Sequence, residues 1–214
     1  MQPKLVIFDC DGVLVDSERT TNEVIQRSLA SHGFDLPVDQ IMALFVGGTM
    51  ASVREEVGRR GVQLPHDWVA TINANVAQVL GASVELIPSI LGVLDALDAA
   101  DIPYAVGSNG PMDKMQATLG RTGLWDRMQG RIYTAHDCDH PKPAPDVYLK
   151  AATKAGCDPA ACVVIEDSAS GAKAAVAAKM PCYGYCADTP VAKLDPFCVA
   201  TFDDMANLPN LLEL

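Results

Sequence analysis

The chain has 214 residues, 49% of them apolar and 20% charged, with 16 basic and 27 acidic side chains and a formal net charge of −11. It is long enough for one sizeable core with room for an inserted module. It lacks the cation excess that meets a nucleic-acid backbone or an anionic membrane, so neither is expected as a partner, while a small anion held by a metal and a few local cations stays compatible.

The opening MQPKLVIFD has no basic, apolar and small-residue succession of a signal peptide. The longest uncharged stretch, between Asp67 and Glu85, is interrupted by Asn73, Asn75, Gln78 and Ser83, and predicts no membrane span. Seven cysteines show neither paired C-x-x-C spacing nor a disulfide framework, which predicts reduced thiols in a cytoplasmic protein.

In chain order, the apolar run Leu5–Phe8 predicts a buried strand. Residues 17–83 are then helical in pattern throughout, over Thr20–Ser31, Val38–Leu44, Met50–Arg60 and His66–Leu80, with Gly33, Pro37, Gly47-Gly48, Gly61 and Pro65 as punctuation. After this insertion, helical spacing in Ser89–Ala99, Pro111–Arg121, Ala144–Ala155 and Ser168–Lys179 alternates with strand-like Tyr104–Gly107, Arg131–Thr134, Val163–Ile165 and Cys182–Tyr185. Such alternation predicts an α/β fold, a parallel sheet covered on both faces that binds ligands at its carboxyl edge. The helical run divides the chain into a core, residues 1–16 and 84–214, and an inserted domain, residues 17–83.

A polar cluster follows each of several apolar runs. Asp9 and Asp11 follow the first, with Asp16 further on; Ser108-Asn109-Gly110 follow the second; Lys142 stands in HPKPAPD; Glu166-Asp167-Ser168 follow a later run. All should emerge at one edge of the sheet. Four carboxylates there need a cation, since their repulsion would otherwise raise their pKa values or splay them apart. With no His or Cys placed to ligate, a hard divalent ion with oxygen ligands fits, Mg²⁺ before Zn²⁺. Ser108, Lys142 and the backbone N–H groups of Asn109 and Gly110 supply donors for a tetrahedral anion. Metal, carboxylates and anion cradle together describe phosphoryl transfer, in which a carboxylate attacks phosphorus. Strand alternation puts Asp11 on the same face as Asp9, so that one serves as nucleophile and the other as general acid and then base.

The segments FDCDGVLVDSE, VGSNG, KPAPD and VIEDSASG resemble the four motifs of the haloacid dehalogenase-like phosphohydrolases, in the subgroup with a helical cap after the first motif. The resemblance spans essentially the whole chain. It implies a Rossmann-like, doubly wound core, an all-helical cap and Mg²⁺-dependent hydrolysis of a phosphate monoester. It also implies that Asp9, Asp167 and the Asp11 carbonyl ligate Mg²⁺, with Glu166 beside them or one water away, and that Ser108 and Lys142 hold phosphate.

Within this family, Asp11 argues against dehalogenases, and the absence of lysine between Ser17 and Ser83 argues against phosphonatases that use a cap lysine. Phosphomutases similar to this chain carry a cap His and Arg where Thr21 and Met50 stand here, so a phosphatase is favoured over a mutase. A binding or regulatory protein that had lost catalysis would be expected to lack one of Asp9, Asp11, Lys142 or Asp167. The segments VGSNGPMDKMQATLG, YCAD and TFDDMANLPNLLEL are most similar to the 6-phosphogluconate phosphatases, which puts a sugar or sugar-acid phosphate first as substrate. Arg19 and Arg54 are candidates to meet a substrate carboxylate, and Lys114 is a candidate to face the cleft. The expected partner is a small phosphorylated metabolite, and the expected state a monomer or weak homo-oligomer.

Overall fold

Leu5 and Ile7 turn to one face of a strand and Val6 and Phe8 to the other, and an apolar run of this kind stays out of water only in the middle of a covered sheet. The computed structural model, which describes residues 2–45 and 48–214, places all four fully inside. The chain runs β1 (Leu5–Phe8), β2 (Val15–Asp16), α1 (Glu18–Ser31), α2 (Val38–Phe45), α3 (Met50–Arg59), α4 (Trp68–Ser83) and β3 (Glu85–Leu86). It continues through α5 (Ile90–Ala99), β4 (Tyr104–Ser108), α6 (Met112–Arg121), α7 (Trp125–Met128), β5 (Ile132–Thr134), α8 (Asp146–Ala155), β6 (Cys162–Glu166), α9 (Ala169–Ala177), β7 (Cys182–Tyr185) and β8 (Ala200–Phe202).

Six strands form one sheet in the order β5-β4-β1-β6-β7-β8, and every neighbouring pair is parallel. Counted among themselves in chain order these strands run 3-2-1-4-5-6, the doubly wound Rossmann order. The order reverses between β1 and β6, so the crevice at the carboxyl edge opens where Asp9 and Glu166 leave the sheet. Leu5 and Ile7 pack with Val147, Tyr148 and Ala151 of α8 on one face. Val6 and Phe8 belong to the cluster on the other face, which continues into the helical insertion.

That insertion, α1 to α4, follows β1. Trp68, Ile72, Val76 and Leu80 recur every four residues along α4, and all four are buried. They share a cluster with Val24, Ile25 and Leu29 of α1, Ile41 of α2, and Val53 and Val57 of α3. Trp68 also donates its indole N–H to the Ser28 hydroxyl at 2.9 Å.

Three short strands were not expected. β8 is only Ala-Thr-Phe, too short for a recognisable apolar run. β2 and β3 form an antiparallel ribbon, Val15 opposite Leu86 and Asp16 opposite Glu85, where the chain leaves and re-enters the core. Two residues per strand carry no periodicity; the pairing exists because both crossings pass through the same place. No helix among the described residues is long and apolar enough to cross a membrane.

Candidate active site

β1 ends at Phe8, but the Asp9 N–H extends the ladder to the Ile165 carbonyl at 2.9 Å, fixing Asp9 against the end of β6. Asp11 lies beyond the strand in the following turn, so alternation along β1 is not what aims it. Its carboxylate accepts from Lys114 Nζ at 2.8 Å and from the Ser17 hydroxyl at 2.5 Å. Ser17 is the N-cap of α1 yet caps nothing with its side chain, because its hydroxyl is engaged by Asp11. Asp16 is exposed on the β2–β3 ribbon and takes no part in the cleft.

Lys142 is the cation between the two ends of the site. Its ammonium donates to Asp9 Oδ1 at 2.6 Å and to Glu166 Oε1 at 2.7 Å, and stands 4.7 Å from the centre of the Tyr148 ring. Asn109 holds the Lys142 backbone from β4: its Oδ1 accepts from the Lys142 N–H at 2.9 Å, and its Nδ2 donates to the Lys142 carbonyl at 3.4 Å. The Gly110 N–H, expected to face an anion, instead donates to Ser108 Oγ at 2.9 Å, which leaves the Ser108 hydroxyl proton to point elsewhere. The Thr134 hydroxyl donates to the Gly110 carbonyl at 2.7 Å and ties this turn to β5.

Glu166 is wholly buried. Its Oε1 accepts from Lys142 and, at 2.9 Å, from the Tyr148 hydroxyl; its Oε2 accepts from the Ser168 N–H at 2.8 Å and hydroxyl at 2.9 Å. Four donors occupy the four lone-pair directions of a carboxylate, so a metal bonded directly to Glu166 would have to displace one of them.

Two glycines make this packing possible. Gly12 has φ +75°, and a Cβ there would lie 2.2 Å from Asp167 Oδ2. A Cβ on Gly171, one turn into α9, would fall 1.6 Å from Glu166 Oε1. Neither glycine was singled out from sequence, although each directly follows a motif carboxylate or opens a helix beside one.

Asp9, Glu166 and Asp167 are all buried and each offers a carboxylate oxygen within 4.8 Å of the others. Burial raises Asp9 to about 7, with Lys142 pulling it back and Glu166 and Asp11 pushing it further up. Asp167 is raised well above the usual carboxylate range by burial, then by Glu166 and Glu18. Glu18, the first residue of α1, is pushed to about 8 by burial and by Asp11. Asp11 goes the other way: burial would raise it, but the charge and hydrogen bond of Lys114, with Ser17, hold it below the ordinary value. Two ammonium groups, Lys142 and Lys114, stand among these five acids and leave negative charge uncompensated, and an all-oxygen donor set fits a hard divalent cation such as Mg²⁺.

The residues therefore converge as expected at one edge of the sheet: Asp9, Asp11, Ser108, Asn109, Gly110, Lys142 and Glu166 line one cavity, and Asp167 stands behind it in the acidic cluster. Residues 3–179 match the sequence pattern of the haloacid dehalogenase-like hydrolases. The chain belongs to that family. It is 28% identical to 6-phosphogluconate phosphatase from Escherichia coli K12, covering 96% of this chain and 93% of that one. It is 30% identical to fructose-1-phosphate phosphatase from the same organism, over 82% and 92% of the two chains. Among solved structures, a HAD family hydrolase from Deinococcus radiodurans R1, with bound phosphate and sodium, superposes with a TM-score of 0.79 at 30% identity, covering 99% and 96%.

The cap arginines are a correction. Arg19 pairs with Glu23 at 3.6 Å and Asp39 at 3.3 Å, and Arg54 donates to the His66 carbonyl at 3.1 Å; neither lines the cavity. Arg19 lines instead a second depression with Asp39, Asp167 and Ser168, and Arg54 is held by the turn before α4, placements that spacing within one helix does not reveal. Lys114 does face the cleft, through the third residue of α6. Of the Gly47-Gly48 turn, Gly47 lies outside the described residues; Gly48 and Thr49 line the cavity, and the Thr49 hydroxyl is engaged in capping α3 with Ser52. Tyr148, Ser17 and Glu18 were missed. Tyr148 reads in sequence as one more apolar position of α8, and only the fold brings its hydroxyl to Glu166.

Proposed function

We propose that this protein is a Mg²⁺-dependent phosphatase that hydrolyses a small sugar phosphate through an aspartyl phosphate on Asp9. The observation that carries the reading is the Asp9–Lys142–Glu166 chain, set beside Asp167 in a cluster that fits a hard cation. The family and the two sugar-phosphate phosphatases among its relatives support it. The domain division at residues 17 and 83 is part of the proposal, with the β2–β3 ribbon as the junction and α1 to α4 as the cap over the strand ends.

The residues act in two steps. Asp9 Oδ attacks phosphorus, the ester P–O bond breaks, and the leaving alkoxide takes a proton from Asp11. Water then gives a proton to Asp11 and attacks phosphorus; the bond to Asp9 breaks, releasing inorganic phosphate and the free carboxylate. Ser108 and Lys142 hold the phosphoryl oxygens, and Asn109 keeps Lys142 in register. Asp9, Asp167 and the Asp11 carbonyl, with Glu166 adjoining, would hold Mg²⁺, which would supply charge neutralisation and favour ionised Asp9. Lys114 keeps Asp11 ionised in the free protein, the form that serves as base; a phosphate dianion beside it opposes Lys114 and raises Asp11 toward the protonated acid.

Asp11→Asn should therefore lower kcat/KM by roughly 10²- to 10⁴-fold for sugar phosphates. The loss for p-nitrophenyl phosphate, whose leaving group scarcely needs a proton, should be clearly smaller. Equal losses for both ester types would remove the acid role from Asp11.

Of the sugar phosphates, 6-phosphogluconate needs a partner for its carboxylate. Among the described residues the ammonium groups lining the cavity are Lys114 and Lys142, both from the core, and the cap contributes no lysine or arginine. That favours a neutral sugar phosphate over a sugar acid. A mutase reading gains nothing, since Thr21 and Met50 line the cavity where a His and an Arg would be needed. The deciding experiment is kcat/KM over a panel of phosphorylated metabolites, with Mg²⁺ and with EDTA. Small sugar phosphates should lead and EDTA should abolish turnover. Phosphoprotein turnover matching that of the small sugars would defeat the enclosed cleft and the cap together, and full activity in EDTA would defeat the metal role.

A further inference from the structure

Two buried polar atoms among the described residues have no hydrogen-bond partner, Thr21 Oγ1 and Asn22 Oδ1. They are adjacent on α1, they line the same cavity as Asp9 and Asp11, and their residues are only 8% and 2% exposed. A buried polar group left unpaired costs stability, so two side by side in a catalytic cleft call for an explanation. A threonine inside a helix usually turns its hydroxyl back to the carbonyl four residues earlier. Here the Ser17 carbonyl accepts only the Thr21 backbone N–H, and the hydroxyl is left without a partner.

The orientation of Asn22 is set by its own hydrogen bonds. Its amide nitrogen donates to the Glu18 carbonyl at 2.8 Å and to Glu18 Oε2 at 3.4 Å. Flipping the amide would put its oxygen 2.8 Å from the Glu18 carbonyl oxygen, so Oδ1 is the end left open. The pair thus offers one pure acceptor and one hydroxyl that can accept or donate. Ile25, Phe45, Met50 and Val69 give the same cavity an apolar wall. The cavity, ≈ 130 Å³, is lined by Asp9 as well.

We infer that Thr21 and Asn22 form a specificity subsite that hydrogen-bonds a neutral hydroxyl of the substrate while its C–H face lies against the apolar wall. This rests on the phosphatase reading above and deepens it. An alcohol both donates and accepts, so it satisfies Oδ1 of Asn22 and the hydroxyl of Thr21 together. A carboxylate has no proton to give Asn22 Oδ1, and no cap cation stands beside it. The substrate class that fits is a neutral, hydroxylated sugar or polyol monophosphate.

Thr21→Val tests it, because valine keeps the shape and replaces the hydroxyl by a methyl. Wild type, Thr21→Val and Thr21→Ser are compared on p-nitrophenyl phosphate, fructose 1-phosphate, other neutral sugar and polyol phosphates with their deoxy analogues, and 6-phosphogluconate. Thr21→Val should lower the ratio of kcat/KM on the best neutral sugar phosphate to that on p-nitrophenyl phosphate by roughly 10- to 100-fold. Thr21→Ser should restore most of it, and the deoxy analogue lacking the recognised hydroxyl should not distinguish Val from Thr. Thr21→Val should also melt no lower than wild type, since it removes an unpaired buried hydroxyl. An unchanged ratio, or a wild-type preference for 6-phosphogluconate that ignores position 21, would overturn the inference, as would no turnover of any neutral sugar phosphate by a protein active on p-nitrophenyl phosphate. Inactivity of the wild type on p-nitrophenyl phosphate with Mg²⁺ present would instead strike the phosphatase reading itself.

Discussion

Asp9→Asn is expected to lower kcat/KM on any phosphate ester by on the order of 10⁴-fold or more, because an amide oxygen is a poor nucleophile and the later steps have nothing to act on. The protein should nevertheless fold. With its pKa raised to about 7, the Asp9 carboxylate is taken up protonated by the folded state and not by the unfolded one. A raised carboxylate pKa removes stability as pH climbs from about 4 through about 7. The amide escapes that cost, so metal-free Asp9→Asn at pH 8 should melt no lower than the metal-free wild type. It should also lose most of the thermal shift that Mg²⁺ gives the wild type. Paired melting curves with Mg²⁺ and with EDTA, alongside turnover, check all three points. Wild-type turnover in purified Asp9→Asn would end the covalent mechanism.

Lys142→Met should be the most damaging change to stability within the site. It removes the ammonium between Asp9 Oδ1 and Glu166 Oε1, at 2.6 and 2.7 Å, and leaves two buried carboxylates facing each other. Breaking a buried pair in this way costs roughly 3–5 kcal/mol. Lys142 itself is raised: burial pulls its pKa down, and Asp9 and Glu166 more than reverse that. A raised lysine keeps its full contribution everywhere below its unfolded value, so it remains charged across pH 5–8 and the pH dependence comes from the acids. Asp9, raised to about 7, already holds a proton at pH 5.5, and losing the ammonium raises it further, so the two carboxylates repel each other at pH 8 and not at pH 5.5. Urea unfolding in EDTA should therefore show a large loss at pH 8 and a smaller one at pH 5.5. Equal losses would mean that Lys142 contributes by packing on Tyr148 rather than by charge. Turnover should fall by roughly 10²- to 10³-fold even where the variant is folded, because a phosphate-facing cation is gone.

Much of the architecture was legible because its signal is local. Leu5–Phe8 and Cys182–Tyr185 coincide with the strands β1 and β7, since a short uncharged, largely apolar run between turns has few other places to go. The helices of the insertion were legible from repeats such as Trp68, Ile72, Val76 and Leu80, with ends displaced by one to three residues where apolar spacing does not mark the boundary. The motif carboxylates were legible because a charged residue directly after an apolar strand has to leave the sheet at its carboxyl edge. Lys142 was placed correctly from its motif, but a lysine between prolines carries no mark that it is buried on Asp9 and Glu166.

What the sequence by itself determined is the α/β alternation, the helical insertion after β1, and the set of acids, hydroxyl and ammonium brought to one edge. Those follow from hydrophobic periodicity and turn chemistry, which act over a few neighbouring residues. Only the tertiary structure decided how these groups divide their hydrogen bonds: that Asn109 clasps Lys142, that Glu166 is filled by four donors, that Ser17 and Lys114 hold Asp11, and that Gly12 and Gly171 clear space for Asp167 and Glu166. It also decided that Arg19 pairs with Asp39 and Arg54 with the His66 carbonyl while Thr21 and Asn22 face the cleft with unpaired oxygens. The reason is geometric. Whether a side chain meets the site depends on how a helix is rotated against elements a hundred residues away, and a hydrogen bond made or lost over an ångström leaves no trace in the order of the residues.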